Sequence, residues 1–546
     1  MKAIHALSVA LPLVLLAASA RAAKYEVGPT KTYKQLTDVA PKLLAGDLVL
    51  VDGGATYNAV LFNQPGLLGV PIIVRGVNVG GKKPVISGGT NSVELQGDHY
   101  VFENFEVTGG SSRCIYHHAD DITIRFATVH DCPTHGILGA DNDSGSLLLE
   151  FSEVYKCGGG TQHHQIYIAT DEVKHPGSVF MMQHCYVHDA NGGNSVKSRA
   201  ERNQIYYNWI EGAQYHELEL IGPDPSGGTP EALKREDSDV VGNVLRKTGL
   251  GASFYVTRIG GDGTGQTNGR YRFVNNTFVM NAGGSAAFRI FDGIESVEMH
   301  NNVFFTVGGG SLDLKREVEA VWVGGSSVIA GSDNWVPTGA ANVPSTWTGT
   351  VSGADPMLVA VSTFDLHPAS GSPLIDKGNM KTASAAGHEF PSPLALPAYV
   401  PPAHAVGTTA LPRPVVSVID IGAYEFGVGP PADAGVVDTG PGPTPDGGPD
   451  ATSSDTGGAL DATSGSPSSS DSASPPSDTS IGSGDAAIDD GSTSADPGSS
   501  SAGGCGCRVA RADDHVPLAW VSALGAALAV FARRARRRRP IGARRR

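Results

Sequence analysis

From about residue 100 the chain alternates short apolar strands with polar, Gly-rich turns. One strand type recurs, and its last large apolar residue falls at Val107, Val129, Val154, Val187, Ile210, Leu245, Phe278 and Phe304. The steps between them are 22, 25, 33, 23, 35, 33 and 26 residues. Such a loose period predicts stacked supersecondary units, and it suits one turn of a parallel β-helix with insertions of variable length. Leucine-rich repeats have similar lengths, but their fixed Leu spacing is absent. Two residues before the tracked position stand Asn208, Asn243, Asn276 and Asn302. Asn at one turn position in successive coils predicts a ladder, each amide bonding the next.

A second strand follows in each coil: Gly136-Ile137-Leu138, Gln165-Ile166-Tyr167-Ile168, Ser195-Val196-Lys197-Ser198-Arg199, Glu217-Leu218-Glu219-Leu220, Phe254-Tyr255-Val256-Thr257 and Phe288-Arg289-Ile290. With Ile137, Ile166, Val196, Leu218 and Phe288 inward, period-2 alternation turns the next residue outward. Leu138, Tyr167, Lys197, Glu219 and, farther along, Arg289 then form one outward column, with Arg199 in the next. Neighbouring strands lie about 4.8 Å apart, so Tyr167, Lys197 and Glu219 should be neighbours on an open face.

The flanks extend the picture. An amphipathic run from Tyr33 to Leu44 leads into Gly46-Asp47-Leu48-Val49-Leu50-Val51, predicting a short helix that covers the open end of the stack. After Asn334-Trp335 the repeat fades, and the segment to Phe426 reads as the last coils and a C-terminal cover. The predicted body is an all-β parallel solenoid over residues 23–427.

Composition adds the outer segments. The 546 residues contain 71 Gly and carry a net charge of −15, which averages an acidic linker with an Arg-rich end. Residues 1–22 have an early Lys, an apolar run from Leu7 to Leu16 and Ala20-Arg21-Ala22, the pattern of a secretory signal peptide. Residues 428–503 are almost all Gly, Pro, Ser, Thr, Asp and Ala, and predict a disordered linker. Residues 504–546 hold Cys505 and Cys507, an apolar run from Val516 to Ala532 and an Arg cluster at 533–539. That run is short for a transmembrane helix, and the Arg cluster would stay cytoplasmic. No nucleic-acid partner is expected, because the sole basic cluster follows an apolar segment and reads as a topology signal.

Export makes disulfides permissible. Cys132 and Cys157 each lie three residues after the tracked position and should stack on adjacent coils. Either a disulfide between them or a pair of reduced buried side chains fits that spacing. Cys114 and Cys185 have no obvious partner.

These features carry three resemblances. The body resembles the pectate-lyase-like right-handed β-helix superfamily, through its Gly46-Asp47 entry, its coil repeat and its Asp420-Ile421-Gly422-Ala423-Tyr424-Glu425 ending. Val196-Lys197-Ser198, followed by Asn203 and Asn208, looks like the catalytic-lysine coil of the alginate lyase and chondroitinase B family. The order of Cys motif, apolar segment and Arg cluster resembles the myxobacterial C-terminal sorting signal. It implies export to the cell surface, a membrane contact through this segment, and processing or lipidation at Cys505 or Cys507.

The lyase resemblance implies β-elimination of an acidic, uronate-containing polysaccharide. A proton α to a carboxylate is weakly acidic, so the developing charge needs a cation or metal. Lys197 is the expected base, Arg199 the carboxylate neutraliser, and Tyr167 or His164 the auxiliary acid. His163, Asn194, His216, Glu219 and Arg289 are expected substrate-binding residues. Where the family's following coil carries an Arg, this chain reads His216-Glu217-Leu218-Glu219-Leu220. An acidic neighbour would raise the Lys197 pKa. Glu217 and Glu219 are instead candidate calcium ligands. The alternatives are a surface β-helix that binds glycans or partners without turnover, and a glycoside hydrolase using Glu217 with Glu219 or Asp189. His130-Asp131 and His188-Asp189 recur after the tracked position as candidates for a second groove, and Asp141-Asn142-Asp143 is an acidic turn.

Overall fold

The structure, a computed structural model, describes residues 22–222, 237–248, 255–261, 267–281, 286–291, 293–309, 312–317, 327–390 and 392–427. The expected signal peptide (apart from Ala22), the linker, Cys505, Cys507 and the apolar run at 516–532 lie outside the described residues. Among the described residues no helix is long and apolar enough to cross a membrane.

The chain is a parallel β-helix. Each coil contributes one strand to each of three sheets of 12, 12 and 10 strands among the described residues. One coil runs through Tyr100–Glu103 in the first sheet, Glu106–Thr108 in the second and Arg113–His117 in the third, then returns to the first at Ile122–Arg125. The tracked residues form one column of the second sheet, paired in register from Val107 to Phe304. Their side chains fill a continuous apolar core enclosed by the three sheets.

A two-residue corner repeats between the first and second sheets. Its first residue is left-handed in Asn104, Phe126, Phe151, His184, Tyr207, Asn275 and Asn301. Such a conformation is costly for bulky residues. Here the Phe126, Phe151, His184 and Tyr207 rings stack on one another at 5.5, 4.8 and 5.2 Å. The second corner residue carries the Asn ladder. The amide nitrogens of Asn208, Asn243 and Asn276 each donate at 3.0 Å to the Oδ1 of the next Asn, and the ladder continues through Asn302 to Asn334.

Three details depart from the sequence reading. The run after Tyr33 forms two single 3-10 turns, Leu36–Asp38 and Ala40–Lys42, instead of a longer helix, and it buries Leu36, Val39, Ala40 and Leu43. The disulfide joins Cys114 to Cys132, and Cys157 is a buried thiol. Cys132 and Cys157 do meet on successive coils, where the Gly158 amide donates to the Cys132 carbonyl at 3.1 Å. Cys114 enters the same corner from the preceding third-sheet strand, with its Cα 5.6 Å from that of Cys132.

The third departure is the C-terminal segment, which runs back along the outside of the coils. Leu366, Leu374, Val400, Ile421 and Tyr424 pack on an outward apolar column of the second sheet that includes Trp209, Val244, Val303 and Trp335. Phe390 lies under the guanidinium groups of Arg202, Arg270 and Arg272, at 4.8, 5.2 and 3.6 Å. His404 pairs with Glu211 at 2.8 Å. The segment's packing is thus on the first and second sheets, and the third sheet carries the candidate site.

Candidate functional site

The outward column of the third sheet runs in register through Leu138, Tyr167, Lys197, Glu219, Arg258, Arg289 and Arg316. Strand Val196–Arg199 forms because Val196 and Ser198 turn into the core, which leaves Lys197 half-buried between Tyr167 and Glu219. The Lys197 ammonium lies 4.8 Å from the centre of the Tyr167 ring. The expected neighbours therefore do come together. Arg258, absent from the sequence reading, completes them. It pairs with the Glu219 carboxylate and also donates to the Gly261 carbonyl at 2.9 Å. Its coil was legible only as far as Thr257, a polar residue that occupies the inward slot between Leu218 and Phe288 and so disguises the register.

Behind this column lies a second row at the preceding corner: His135, His164, Asn194 and His216. The His164 amide donates to Nδ1 of His135 at 3.1 Å, and the Asn194 amide to Nδ1 of His164 at 3.0 Å. The His216 amide donates to Oδ1 of Asn194 at 2.9 Å. Each side chain thus caps the backbone of the next coil. The network places the neutral proton of His135 and His164 on Nε2. Nδ1 of His216 also reaches Asn194 Oδ1, at 3.2 Å, and so carries its proton there. Burial pushes His135 and His216 down to about 3 and holds His164 well below the usual range, so all three are neutral near pH 7. Asn194 Nδ2 donates to Glu219, linking the two rows.

Burial alone would raise the Glu219 pKa, but the charges of Lys197 and Arg258 outweigh it and hold the carboxyl well below the usual carboxylate range. Glu217 behaves oppositely. It is wholly buried, 3.5 Å from the equally buried Lys247, and burial pushes it up to about 7. Calcium does not fit this pair. Glu217 is buried with Lys247, both Glu219 oxygens are engaged by Asn194 and Arg258, and calcium takes six to eight oxygen ligands. Its burial against Lys247 likewise removes Glu217 as a partner of Glu219 in a hydrolase pair.

The other expected residues are placed as follows. Arg199, the expected neutraliser, ends its strand buried and donates to the Gly222 carbonyl at 2.7 Å, because the chain turns away from the sheet there. His163 is exposed beside His135, at 5.7 Å between rings. Arg289 is half-buried over the rings of Tyr255 and Phe291. His130 and His188 lie on the second sheet, stacked on either side of Tyr155 at 4.9 and 5.1 Å, and Asp189 pairs with His188 there. Asp143 fastens a turn by pairing with Lys174 and His175.

No family model matches the chain, and no curated protein matches it. Among solved structures it is similar to pectate lyase Pel9A, at 13% identity, covering 74% of this chain and 96% of that one, with a TM-score of 0.46. It is also similar to an alginate lyase from Paenibacillus sp. str. FPU-7, at 16% identity, 54% and 95% coverage and a TM-score of 0.32. A PL6 family polysaccharide lyase from Pseudopedobacter saltans is a third, at 13% identity, 58% and 89% coverage and a TM-score of 0.35. These are likenesses of coil stacking, and the parallel β-helix assignment itself rests on the strand pairing.

Proposed function

We propose that the third sheet carries a polysaccharide lyase site acting by β-elimination on uronate-containing glycans. The observation that carries this reading is the register Tyr167, Lys197, Glu219, Arg258 along one outward column. Lys197 is the base that takes the proton α to the uronate carboxylate. Arg289, half-buried on the same outward column, neutralises that carboxylate, the role that the buried Arg199 and Arg258 do not fill. As the carbon–oxygen bond to the leaving sugar breaks and the ring double bond forms, Tyr167 gives its proton to the leaving oxygen. Neutral His164 is the alternative donor. Glu219 stands beside Lys197 on the next coil, and Arg258 draws on the same carboxylate. The enzyme is placed outside the cell and on its surface, as the signal-type start and the Cys, apolar and Arg order of the end imply.

Glycan binding without turnover is the second reading, favoured by the same Glu219 beside Lys197. Incubation with alginate, pectate and chondroitin, followed by near-ultraviolet absorbance of the unsaturated uronate, decides between them. A rise that Lys197→Ala abolishes supports the lyase. A rise that survives this substitution removes Lys197 as the base, and binding with no rise on any substrate leaves the second reading.

A further inference from the structure

The outward column continues on both sides of Lys197, and its halves differ in chemistry. Toward the N-terminal coils it reads Tyr167, Leu138, Tyr116, Glu94 and Leu61. The carboxylate there, Glu94, bonds Asn91, Gln96 and His118. Toward the C-terminal coils it reads Glu219, Arg258, Arg289 and Arg316. Like charges directly opposed on adjacent strands destabilise a sheet, and this half opposes three guanidinium groups in succession. They are also held in place. Tyr255 lies 5.5 Å below the Arg289 guanidinium, and its hydroxyl accepts a hydrogen bond from Arg316 at 2.9 Å. Phe291 supports Arg258 at 4.1 Å and Arg289 at 4.9 Å. Tethering long side chains in advance lowers the entropy lost when they bind.

We infer that this column is a polarised glycan track. Arg289 and Arg316 hold successive acidic sugar units on the C-terminal side of Lys197, beyond the buried Glu219–Arg258 pair. Strand spacing of about 4.8 Å is close to the length of one pyranose unit, so cations on successive coils meet successive carboxylates. Four strand spacings separate Lys197 from Arg316, about 19 Å, which accommodates about four acidic units. Guanidinium groups bind carboxylates in a bidentate manner. The inference rests on the glycan-acting reading of this site, but it concerns binding and not turnover.

The test uses the full-length chain carrying Lys197→Ala, titrated with oligouronates from dimer to hexamer, a neutral hexasaccharide and a single-stranded DNA oligonucleotide. Affinity should rise by about tenfold from dimer to tetramer and then level off. Added salt should weaken it, and the neutral sugar should not compete. Arg289→Ala and Arg316→Ala should each lower tetramer affinity by about tenfold. Arg316→Lys, which keeps the charge, should restore much of the loss and guards against a folding defect. Equal hexamer affinity in the parent and both alanine variants overturns the track, as does DNA binding as tight as hexamer binding. Length-dependent binding, with no lyase activity in the chain that keeps Lys197, would sink the lyase reading and leave the track standing. Lyase activity with length-independent binding would do the reverse.

Discussion

Arg258 reaches back one coil to hold the carboxylate of Glu219, the residue that separates it from Lys197 in the outward column. Both partners are buried. Removing one member of a buried pair leaves the other charge uncompensated, at a cost of about 3–5 kcal/mol. Arg258→Ala should therefore lower the urea unfolding midpoint markedly, whereas Arg316→Ala, on the exposed end of the column, should not. The same variant should lose lyase activity at temperatures where it remains folded.

The buried histidines make stability depend on pH. His117 and His184 are pushed down to about 4 and His135 and His216 to about 3, all by burial. Below the ordinary value of about 6.5 the unfolded chain takes up protons that the folded chain cannot, so stability falls as pH falls. Glu217 and Glu425, pushed up to about 7 by burial, work in the opposite direction between about 4.5 and 7. With His164, also held low by burial, five histidines outweigh these two carboxyls and leave a net loss on acidification. His135→Asn preserves an acceptor for the His164 amide, as Asn194 does for His216. It should flatten the dependence below pH 6.5 by about 1.4 kcal/mol per pH unit, read from urea midpoints at pH 7 and pH 5.

The Asn276 side chain takes part in four hydrogen bonds of the corner ladder. Its Nδ2 donates to Val240 and Asn302, and its Oδ1 accepts from the amide and side chain of Asn243. Asn276→Ala would orphan these buried partners at about 1–3 kcal/mol for each unsatisfied group. Calorimetry should show a large fall in Tm, and Asn276→Asp, which cannot donate, should also destabilise.

Non-reducing peptide mapping should recover Cys114 linked to Cys132 and Cys157 free. Cys114→Ser should cost about 3 kcal/mol, the loop-closure value for a bridge of this span. Cys157→Ser should leave the bridge intact. Recovery of a Cys132–Cys157 peptide from the parent protein would contradict the assignment.

Much of the fold was legible because a parallel coil repeats its inward side chains. Val107 to Phe304 and the Asn ladder were found by counting, since both sit beside a corner of constant length. The site was legible from Tyr167 to Glu219, where Ile166, Val196 and Leu218 mark the inward slot. It failed at Arg258, because Thr257 fills that slot with a polar residue. Arg199 and Glu217 were misjudged because strand alternation ends with the strand, and both lie where the chain turns. The Cys114–Cys132 contact joins two different strand positions, so a search for equivalent residues in successive coils could not find it.

The C-terminal segment that runs back along the coils has a consequence for unfolding. In a stack stabilised only by neighbouring units, coils can fray one at a time from either end. Here one chain segment grips the successive coils of Tyr186 and Trp209 and also those of Val303 and Trp335. Peeling the last coils away would break contacts several coils back, so the spine should open as one block. The register that lines up Lys197, Glu219 and Arg258 is then guarded by a clasp on the opposite side of the molecule's core.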